Sequence, residues 1–501
     1  MLLRAHRASR IVVIGGALVA AGCATEPTAS TARATAAPVL DVDVTLLPDA
    51  ADAFGGVSLR YCPAAGASMP RRLVPENRRA LPFAVSVNDD LGRPLPLDDD
   101  GVFTRELRGC AHLIVDVARM ADALDDKDLA QRVGDDVIAT PELWLWRPEP
   151  FADDARLRVK VERAGFDAAV PWVDVDDGRY LVDARAFRLK SDAAFGRFAV
   201  EHIDAGGARL SLARLDDGRA PPALGAWLAA SAHAVASVHG AYPEPRLNVL
   251  VVPTHVARPI VVGFYSRGGG PTALFYVGDG ADSLDADDLE ATGRWALTHE
   301  LAHALLPPVK SEDAWLNEGI ATWYQDLLAR RAGMLPDDAA YWAELVRGLR
   351  TGRVRSDEDR LTVAEASRRM HATGAYQHTY WAGVALALLT EVEARRHGAS
   401  LDDLVRALRR RFPDDDEARD ARSLLAAVDA GKGAVAARAL ERAFQANKDA
   451  PWPDVERLLA ELGVVVDAMG AVALDDHAPL AAVRRAITLP AERAPAPLAA
   501  R

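Results

Sequence analysis

The sequence predicts an α+β protein with a β-rich first part, a mixed middle part and a helical last part. Between residues 39 and 220, short runs of alternating apolar and polar residues are separated by Pro, Gly and Asp clusters, which is typical of an antiparallel β-sandwich domain. Between residues 221 and 420, three short β-branched runs lie among helical stretches and predict a small mixed sheet with helices. From residue 421 to 488, apolar residues recur at helical spacing, which predicts a helical C-terminal region.

Within the β-rich part, the run LWLW carries Trp144 and Trp146 two positions apart. Alternate side chains of a strand share one face, so we predict that both indoles lie on the same side of a strand. Such Trp pairs more often belong to a core or a domain contact than to a ligand platform. We therefore expect them to be structural.

The start of the chain has the features of an exported protein with a lipid anchor. Residues 1–22 combine three arginines with an apolar segment that is short for a membrane span, which is typical of a cleaved signal peptide. Small residues precede Cys23, and an Ala/Thr/Ser/Pro linker follows it to residue 38, in a pattern that resembles a bacterial lipobox. We predict that Cys23 is lipidated and holds the protein at the periplasmic face of the outer membrane. An ordinary secretory signal, with release into the periplasm, is the alternative.

Composition and charge narrow the classes of partner. Half of the residues are hydrophobic and the net charge is −13, so the chain is globular and acidic, and we predict no nucleic-acid partner. Beyond the signal segment, no apolar run is long enough to cross a membrane. The closing residues 489–501 are rich in Pro and Ala and predict a disordered tail.

Two further cysteines, Cys62 and Cys110, lie in the β-rich part. An oxidising periplasm permits a disulfide between them, and two buried thiols are the alternative. Neither has the close Cys or His spacing of a metal site.

The stretch WALTHELAHALLPPVKSEDAWLNEGIATWYQ, residues 295–325, contains the most informative pattern in the chain. His299 and His303 are four positions apart in a predicted helix, so their rings lie on one face, where a single cation can bind both. Glu300 projects to the side, from which its carboxylate can reach a water at the cation without ligating the cation itself. This is the H-E-x-x-H pattern of zinc hydrolases.

A tetrahedral catalytic zinc ion needs a third protein ligand and one open position. Glu318 is the candidate, because a Pro-Pro pair ends the first helix and the following connection is long enough to bring a second helix back. Asn317 is the predicted N-cap of that second helix. Thr322 lies one turn after Glu318 and is a candidate to hydrogen-bond a ligand. Two His and one Glu with an open position favour one zinc ion over iron.

HELAH followed by WLNEGIA resembles the gluzincin metallopeptidases, and most of all the aminopeptidase-N and glycyl-aminopeptidase type. The resemblance is specific over residues 295–325 and weaker over about 220–410. It implies a thermolysin-like catalytic domain behind a β-domain. It further implies zinc-dependent hydrolysis of peptide bonds, with peptide or protein substrates and Glu300 as the general base. The implied zinc ligands are His299, His303 and Glu318.

A second segment of the resemblance is Tyr380-Trp381-Ala382-Gly383, which is similar to the Y-x-K-G segment of the family with Ala in place of Lys. The Tyr of the family donates a hydrogen bond to the oxyanion, which implies the same role for Tyr380. A half-buried aromatic residue at a helix start is the alternative. Tyr376 is a weaker candidate for the same role.

Three glycines, Gly268, Gly269 and Gly270, lead into the third apolar run. The family binds the substrate backbone at an edge strand just before the zinc helix, which implies substrate binding by this segment, with Gly268–Leu274 as the edge. An ordinary hairpin turn is the alternative. The segment has no acid before Asp279, whereas the aminopeptidases use a Glu here to hold the free amine. The resemblance therefore supports a peptidase more than it supports an aminopeptidase.

The competing hypothesis is a non-catalytic envelope lipoprotein that holds zinc and acts as a binding or scaffold protein. The Ala at the Lys position and the missing edge-strand Glu favour it. Glu300 argues against it, because a structural zinc site needs no carboxylate that does not ligate, and such sites prefer Cys and four protein donors. We therefore predict an active zinc peptidase.

Overall fold

The computed structural model describes residues 39–489, except 65–67, 99–102, 104–108, 153–154, 164, 173, 177, 217–219, 268, 279–291, 414–416 and 468. The predicted signal peptide, Cys23 and the linker lie outside the described residues, as do Gly268 and the tail from residue 490 onward. No helix of the described part is both long enough and apolar enough for a bilayer span.

Two sheets pack face to face in the first part of the chain. Their strands are β1 Leu40–Pro48, β2 Phe54–Pro63, β4 Ala84–Asp89, β5 Ala111–Val115, β6 Ala130–Val133, β7 Asp136–Ala139, β9 Arg156–Glu162, β10 Asp167–Ala169, β11 Asp174–Asp176, β12 Arg179–Asp183 and β13 Ala193–Gly196, with β3 Leu73–Val74 and β8 Arg147–Pro148 as a separate ribbon. The strand orders are β11-β12-β9-β1-β2-β5-β4 and β10-β13-β7-β6. All neighbours in the two sheets are antiparallel except β1 and β9. Alternate residues of β1 are buried, and both sheets contribute to one apolar core, which confirms the predicted sandwich.

Cys62 and Cys110 are joined by a disulfide in the structure. Cys62 lies near the end of β2 and Cys110 directly precedes β5, and these two strands are neighbours in the larger sheet. The bond therefore links two adjacent strands at the same end.

The prediction of a strand at LWLW is wrong. Short helices follow β5, β7 and β12: α1 Val117–Ala123, α2 Pro141–Trp144 and α3 Arg185–Arg188. Trp144 thus ends a helical turn that begins with Pro141, a residue suited to the first turn of a helix. Trp144 and Trp146 are both buried, and Trp144 packs edge-on against Phe195 with 5.0 Å between ring centroids. Their structural role in the core is confirmed.

A five-stranded mixed sheet follows the sandwich along the chain. Its strands are β14 Ala199–Ala205, β15 Ala208–Arg214, β16 Arg246–Thr254, β17 Ile260–Ser266 and β18 Thr272–Gly278, in the order β14-β15-β16-β18-β17. Helix α4, Leu224–His239, connects the parallel strands β15 and β16. Strands β14 and β15 fall within residues 39–220, the range predicted to form the sandwich, and for these two strands that prediction is wrong because they belong to the mixed sheet. The predicted domain boundaries at residues 220 and 420 stay predictions.

The edge of this sheet also differs from the prediction. The segment predicted as the edge, Gly268–Leu274, leads into β18, and β18 lies between β16 and β17. Among the described strands, β17 is the one at that edge. Strands β17 and β18 are antiparallel, so Gly269 and Gly270 lie in the connection between them.

Helices make up most of the remaining chain. They are α5 Trp295–Ala302, α6 Ala314–Arg331, α7 Asp338–Asp359, α8 Val363–Thr373, α9 Tyr376–Arg396, α10 Leu401–Arg411, α11 Ala421–Ala426, α12 Gly431–Asn447, α13 Glu456–Glu461 and α14 Ala481–Thr488, with a hairpin of β19 Val464–Val466 and β20 Val472–Leu474. A 3-10 turn, His303–Leu305, continues α5. One apolar cluster joins one face of the five-stranded sheet to these helices. The predicted helical C-terminal region is confirmed.

Helices α6 and α9 cross at two glycines. A Cβ atom at Gly319 would lie 2.5 Å from the Cα of Gly383, and one at Gly383 would lie 2.4 Å from the carbonyl oxygen of Trp315. Side chains at these positions would force the backbones apart, so glycine permits the close crossing. Glu318 directly precedes the first glycine and Tyr380 lies three residues before the second, so the crossing brings these two side chains together.

Candidate metal centre

Three predicted ligands meet at one point. His299 and His303 project from the same face of the α5 region with their rings perpendicular and 5.0 Å apart, and both are buried. Glu318 Oε2 on α6 lies 3.4 Å from His299 Nε2 and 3.7 Å from His303 Nε2. Ligands about 2.0–2.1 Å from a tetrahedral zinc ion lie about 3.4 Å from one another, so these distances suit zinc.

Hydrogen bonds at the Nδ1 atoms of both imidazoles also favour zinc binding. Nδ1 of His299 lies 3.2 Å from Gln325 Oε1, and Nδ1 of His303 lies 3.3 Å from Asn317 Oδ1. In both contacts Nδ1–H donates to an amide oxygen, so Nε2 is the nitrogen that faces the shared point and is available to bind a metal ion there. The donor set therefore fits a zinc ion.

The helix that carries Glu318 begins earlier than predicted. Helix α6 starts at Ala314, so the prediction that Asn317 is its N-cap is wrong, and Asn317 holds His303 instead. Thr322 lies 3.5 Å from His299 Nδ1, while Gln325 is closer to that atom. Sequence reasoning missed Gln325. Its position seven residues after Glu318, two helical turns along the same face, is the signal that could have found it.

Protonation states in this cluster suit metal binding. Burial lowers the pKa of His303 to about 4 against the opposing charge of Glu318, so its imidazole is neutral near pH 7. Burial raises the pKa of Glu318, but the charge of His303 and the hydrogen bond of His299 outweigh it and bring the pKa to about 2. Burial lowers the pKa of His299, and its hydrogen bond to Glu318 reverses that effect and raises it. A metal ion would take the place of the proton that His299 and Glu318 share.

Glu300 lies beside the ligands without joining them. Its Oε2 is 3.9 Å from His303 Nε2, and its side chain is buried. Strand β17 comes close on the other side, because a Cβ atom at Gly263 would lie 2.5 Å from Glu300 Cγ. Burial raises the pKa of Glu300 to about 7, with His299 opposing the rise and Glu318 adding to it. A carboxyl group with this pKa can both accept and release a proton near neutrality.

Tyr380 contacts two of the ligands. Its ring stacks on the His299 imidazole with 5.7 Å between centroids, and its hydroxyl hydrogen-bonds the Glu318 carboxylate. Burial and the charge of Glu318 raise its pKa, so the hydroxyl keeps its proton and acts as a donor. The expectation that Tyr380 begins a helix is wrong, because α9 starts at Tyr376. Tyr376 itself is 40% exposed and lies one turn away, with its ring 6.4 Å from that of Tyr380.

Gly269 and Gly270, from the segment predicted to bind the substrate, lie next to residues of the sandwich. A Cβ atom at Gly269 would lie 2.8 Å from the Cβ of Ala186, and one at Gly270 would lie 1.9 Å from the carbonyl oxygen of Pro171. Both glycines therefore pack against the sandwich part of the chain. The strand that approaches Glu300 is β17.

Comparison with known proteins bears on the fold. No protein-family model matches the sequence, and no curated protein matches it. Among solved structures, an aminopeptidase N family protein from Idiomarina loihiensis matches with a TM-score of 0.62 and 15% identity, over 85% of this chain and 79% of that chain. An M1 zinc metallopeptidase from Deinococcus radiodurans matches with a TM-score of 0.43 and 16% identity, over 83% of this chain and 96% of that chain. Native yeast LTA4 hydrolase matches with a TM-score of 0.45 and 13% identity, over 80% of this chain and 66% of that chain. The first match shows that the chain has the fold of an aminopeptidase N family protein, which confirms the predicted gluzincin-type fold.

Proposed function

We propose that this protein is a zinc-dependent peptidase. The observation that carries the proposal is the cluster of His299, His303 and Glu318, with Glu300 alongside as a carboxylate outside the ligand set. A site that only stores or structurally binds zinc has no use for Glu300 in that position. The fold supports the same conclusion.

When bound, zinc supplies Lewis-acid polarisation of a carbonyl group and lowers the pKa of water. Glu300 takes a proton from the attacking water and passes it to the leaving amine, as its pKa near neutrality permits. Tyr380 donates its hydroxyl proton in a hydrogen bond to the oxyanion of the tetrahedral intermediate, a contact worth about 3 kcal/mol in the transition state. Glu318 accepts from this hydroxyl in the absence of substrate, which holds the donor in place.

We propose that the backbone of the peptide substrate binds along strand β17. None of the described strands pairs with its outer side, so its backbone groups there can take up an extended peptide as a further strand. Gly263 on this strand faces Glu300, while the neighbouring Val262 and Phe264 are exposed on the opposite face. A peptide on this edge would pass beside Glu300 at a position where β17 itself has no side chain.

The test combines metal content with hydrolysis of a mixed peptide library by the wild type and Glu300→Gln. We expect both proteins to hold one zinc ion. The variant should cut at least about 100-fold more slowly, because proton transfer by a positioned base contributes that much. The positions of the cuts then distinguish an endopeptidase from an exopeptidase.

Two results would contradict the proposal in different ways. If both proteins bind zinc and neither cuts any peptide, a non-catalytic zinc-containing lipoprotein becomes the better account. If neither binds zinc, the assignment of His299, His303 and Glu318 as ligands is wrong.

We also propose that Cys23 is lipidated and anchors the protein in the bacterial envelope. The small residues before Cys23 and the linker after it support this location. Labelled fatty acid should be incorporated into the wild type and absent from Cys23→Ser. Label in both proteins, or in neither, would overturn the anchor.

A further inference from the structure

We propose that Arg267 is a positioning residue that holds the ligand His303 against strand β17. The inference rests on the proposed function, because it takes His303 as a metal ligand. Arg267 directly follows β17, whose last residue is Ser266. It therefore joins the end of the proposed peptide strand to the turn that contains His303.

The first group of contacts involves the main chain. Nη1 of Arg267 donates to the carbonyl oxygen of Leu306 at 2.7 Å, and Nη2 donates to the carbonyl oxygen of His303. These carbonyls belong to the first residue of the 3-10 turn that follows α5 and to its C-cap residue, at the end of the helix where intrahelical hydrogen bonds run out. The planar fork of a guanidinium group can bind two such oxygens at once, which a lysine ammonium cannot do in the same geometry.

The second group of contacts involves rings. The guanidinium carbon of Arg267 lies 5.4 Å from the centroid of the Tyr265 ring. That ring in turn stacks on the His303 imidazole at 6.4 Å and 27°. Arg267 thus acts on His303 in two ways, directly through the main-chain oxygen and indirectly through Tyr265.

The need for this support follows from where the two His ligands stand. His299 lies inside α5, whose hydrogen bonds hold its backbone. His303 is the C-cap residue of α5, the point at which the helix gives way to a tighter turn. A ligand at a helix end is held less firmly, so contacts from outside the helix decide its position. Contacts of this kind typically change metal affinity by about 10- to 100-fold when they are removed.

The experiment measures the zinc dissociation constant of the mature chain by competition with a chromophoric chelator, without any peptide present. We expect Arg267→Gln to raise this constant by about 10- to 100-fold. Arg267→Lys should raise it by less, because it keeps a charge and can bond one oxygen. The visible spectrum of the cobalt-loaded variants should also differ from that of the wild type, because it reports ligand geometry.

A matched control is available in the sandwich. Arg119 donates to the carbonyl oxygen of Pro82 at 2.9 Å, and its guanidinium carbon lies 5.2 Å from the Phe83 ring centroid. Arg119→Gln removes the same two kinds of contact from a region without the metal ligands. We expect it to leave the zinc dissociation constant and the cobalt spectrum unchanged.

An unchanged dissociation constant in both Arg267 variants would overturn the inference, as would an equal rise in Arg119→Gln. If Arg267→Gln does not fold, Arg267→Lys decides alone, and a constant equal to that of the wild type counts against the inference. These results are separate from the test of the proposed function. Zinc affinity is measured without hydrolysis, and only a wild type that binds no zinc contradicts both.

Discussion

At the scale of single residues, the centre contains two glutamates whose pKa values are shifted in opposite directions. Glu318 is held as a carboxylate by its His neighbours, which suits a ligand. Burial shifts Glu300 towards the neutral form, which suits a group that must take up a proton and release it. Tyr380 stays protonated and can donate. The centre therefore brings together a carboxylate that suits a metal ligand, a carboxyl group that suits proton transfer and a hydroxyl group that can donate a hydrogen bond.

Replacement of Tyr380 by Phe tests the donor. We expect kcat to fall about 100- to 1,000-fold, because one donor to the oxyanion is lost, while zinc content and KM change little. Steady-state kinetics on a peptide that the wild type cuts would measure both constants. Tyr376→Phe is the matched control and should retain wild-type kinetics, since Tyr376 is exposed one turn away. Equal rates for Tyr380→Phe and the wild type would remove Tyr380 from the mechanism.

At the scale of elements, the centre depends on how closely α6 and α9 approach. Glu318 and Tyr380 come from different helices, and the contact between Gly319 and Gly383 sets the separation of those helices. Strand β17 contributes in the same way, since Gly263 leaves room for Glu300. Small residues at these contacts thus determine distances between the larger, chemically active side chains.

Gly383→Ala tests the helix crossing. The added methyl group would meet main-chain atoms of α6, so we expect a loss of about 1–3 kcal/mol in the free energy of unfolding, together with a lower kcat. Urea denaturation and peptide kinetics would measure the two effects. Gly225→Ala in α4 is the control, because its new methyl group would meet only the ends of the Glu201 and Ile203 side chains. That control should be neutral or slightly stabilising, and similar losses in both variants would contradict the close-contact explanation.

At the scale of the whole molecule, a buried ion pair connects α6, the helix that carries Glu318, to the C-terminal helices. Arg331 on α6 binds Asp402 on α10 at 3.0 Å and donates to the carbonyl oxygen of Ile487 on α14. Tyr324, also on α6, donates to Asp402 at 2.7 Å. The last part of the chain therefore supports the helix that carries Glu318.

The ion pair between Arg331 and Asp402 makes the free energy of unfolding depend on pH. Burial raises the pKa of Asp402, but the charge of Arg331 outweighs this and lowers it below the unfolded value of about 3.9. The stabilisation is therefore present above about pH 4 and is lost as the pH falls through the lower, folded pKa. Asp402→Asn should cost about 3–5 kcal/mol at pH 7, because it leaves a buried charge unpaired, and should flatten the acid limb of the stability curve.

Urea denaturation between pH 3 and pH 7 would measure this dependence. Asp43→Asn is the control, since the pair of Asp43 with Arg60 is exposed, and it should change stability by less than about 1 kcal/mol. An Asp402→Asn variant as stable as the wild type at pH 7 would contradict the role given to the pair.

Local patterns in the sequence determined the elements and the core of the site. The alternation in β1 predicted a half-buried strand, and the spacing of His299 and His303 placed both rings on one helix face, because each depends only on the period of its own element. Long-range pairing decided the rest. β15 joined the second sheet, β17 took the edge, and Asn317 and Arg267 came to hold His303, through contacts between segments that no local period encodes. The sequence alone therefore supplied the predicted ligands, while the tertiary structure decided which residues contact them.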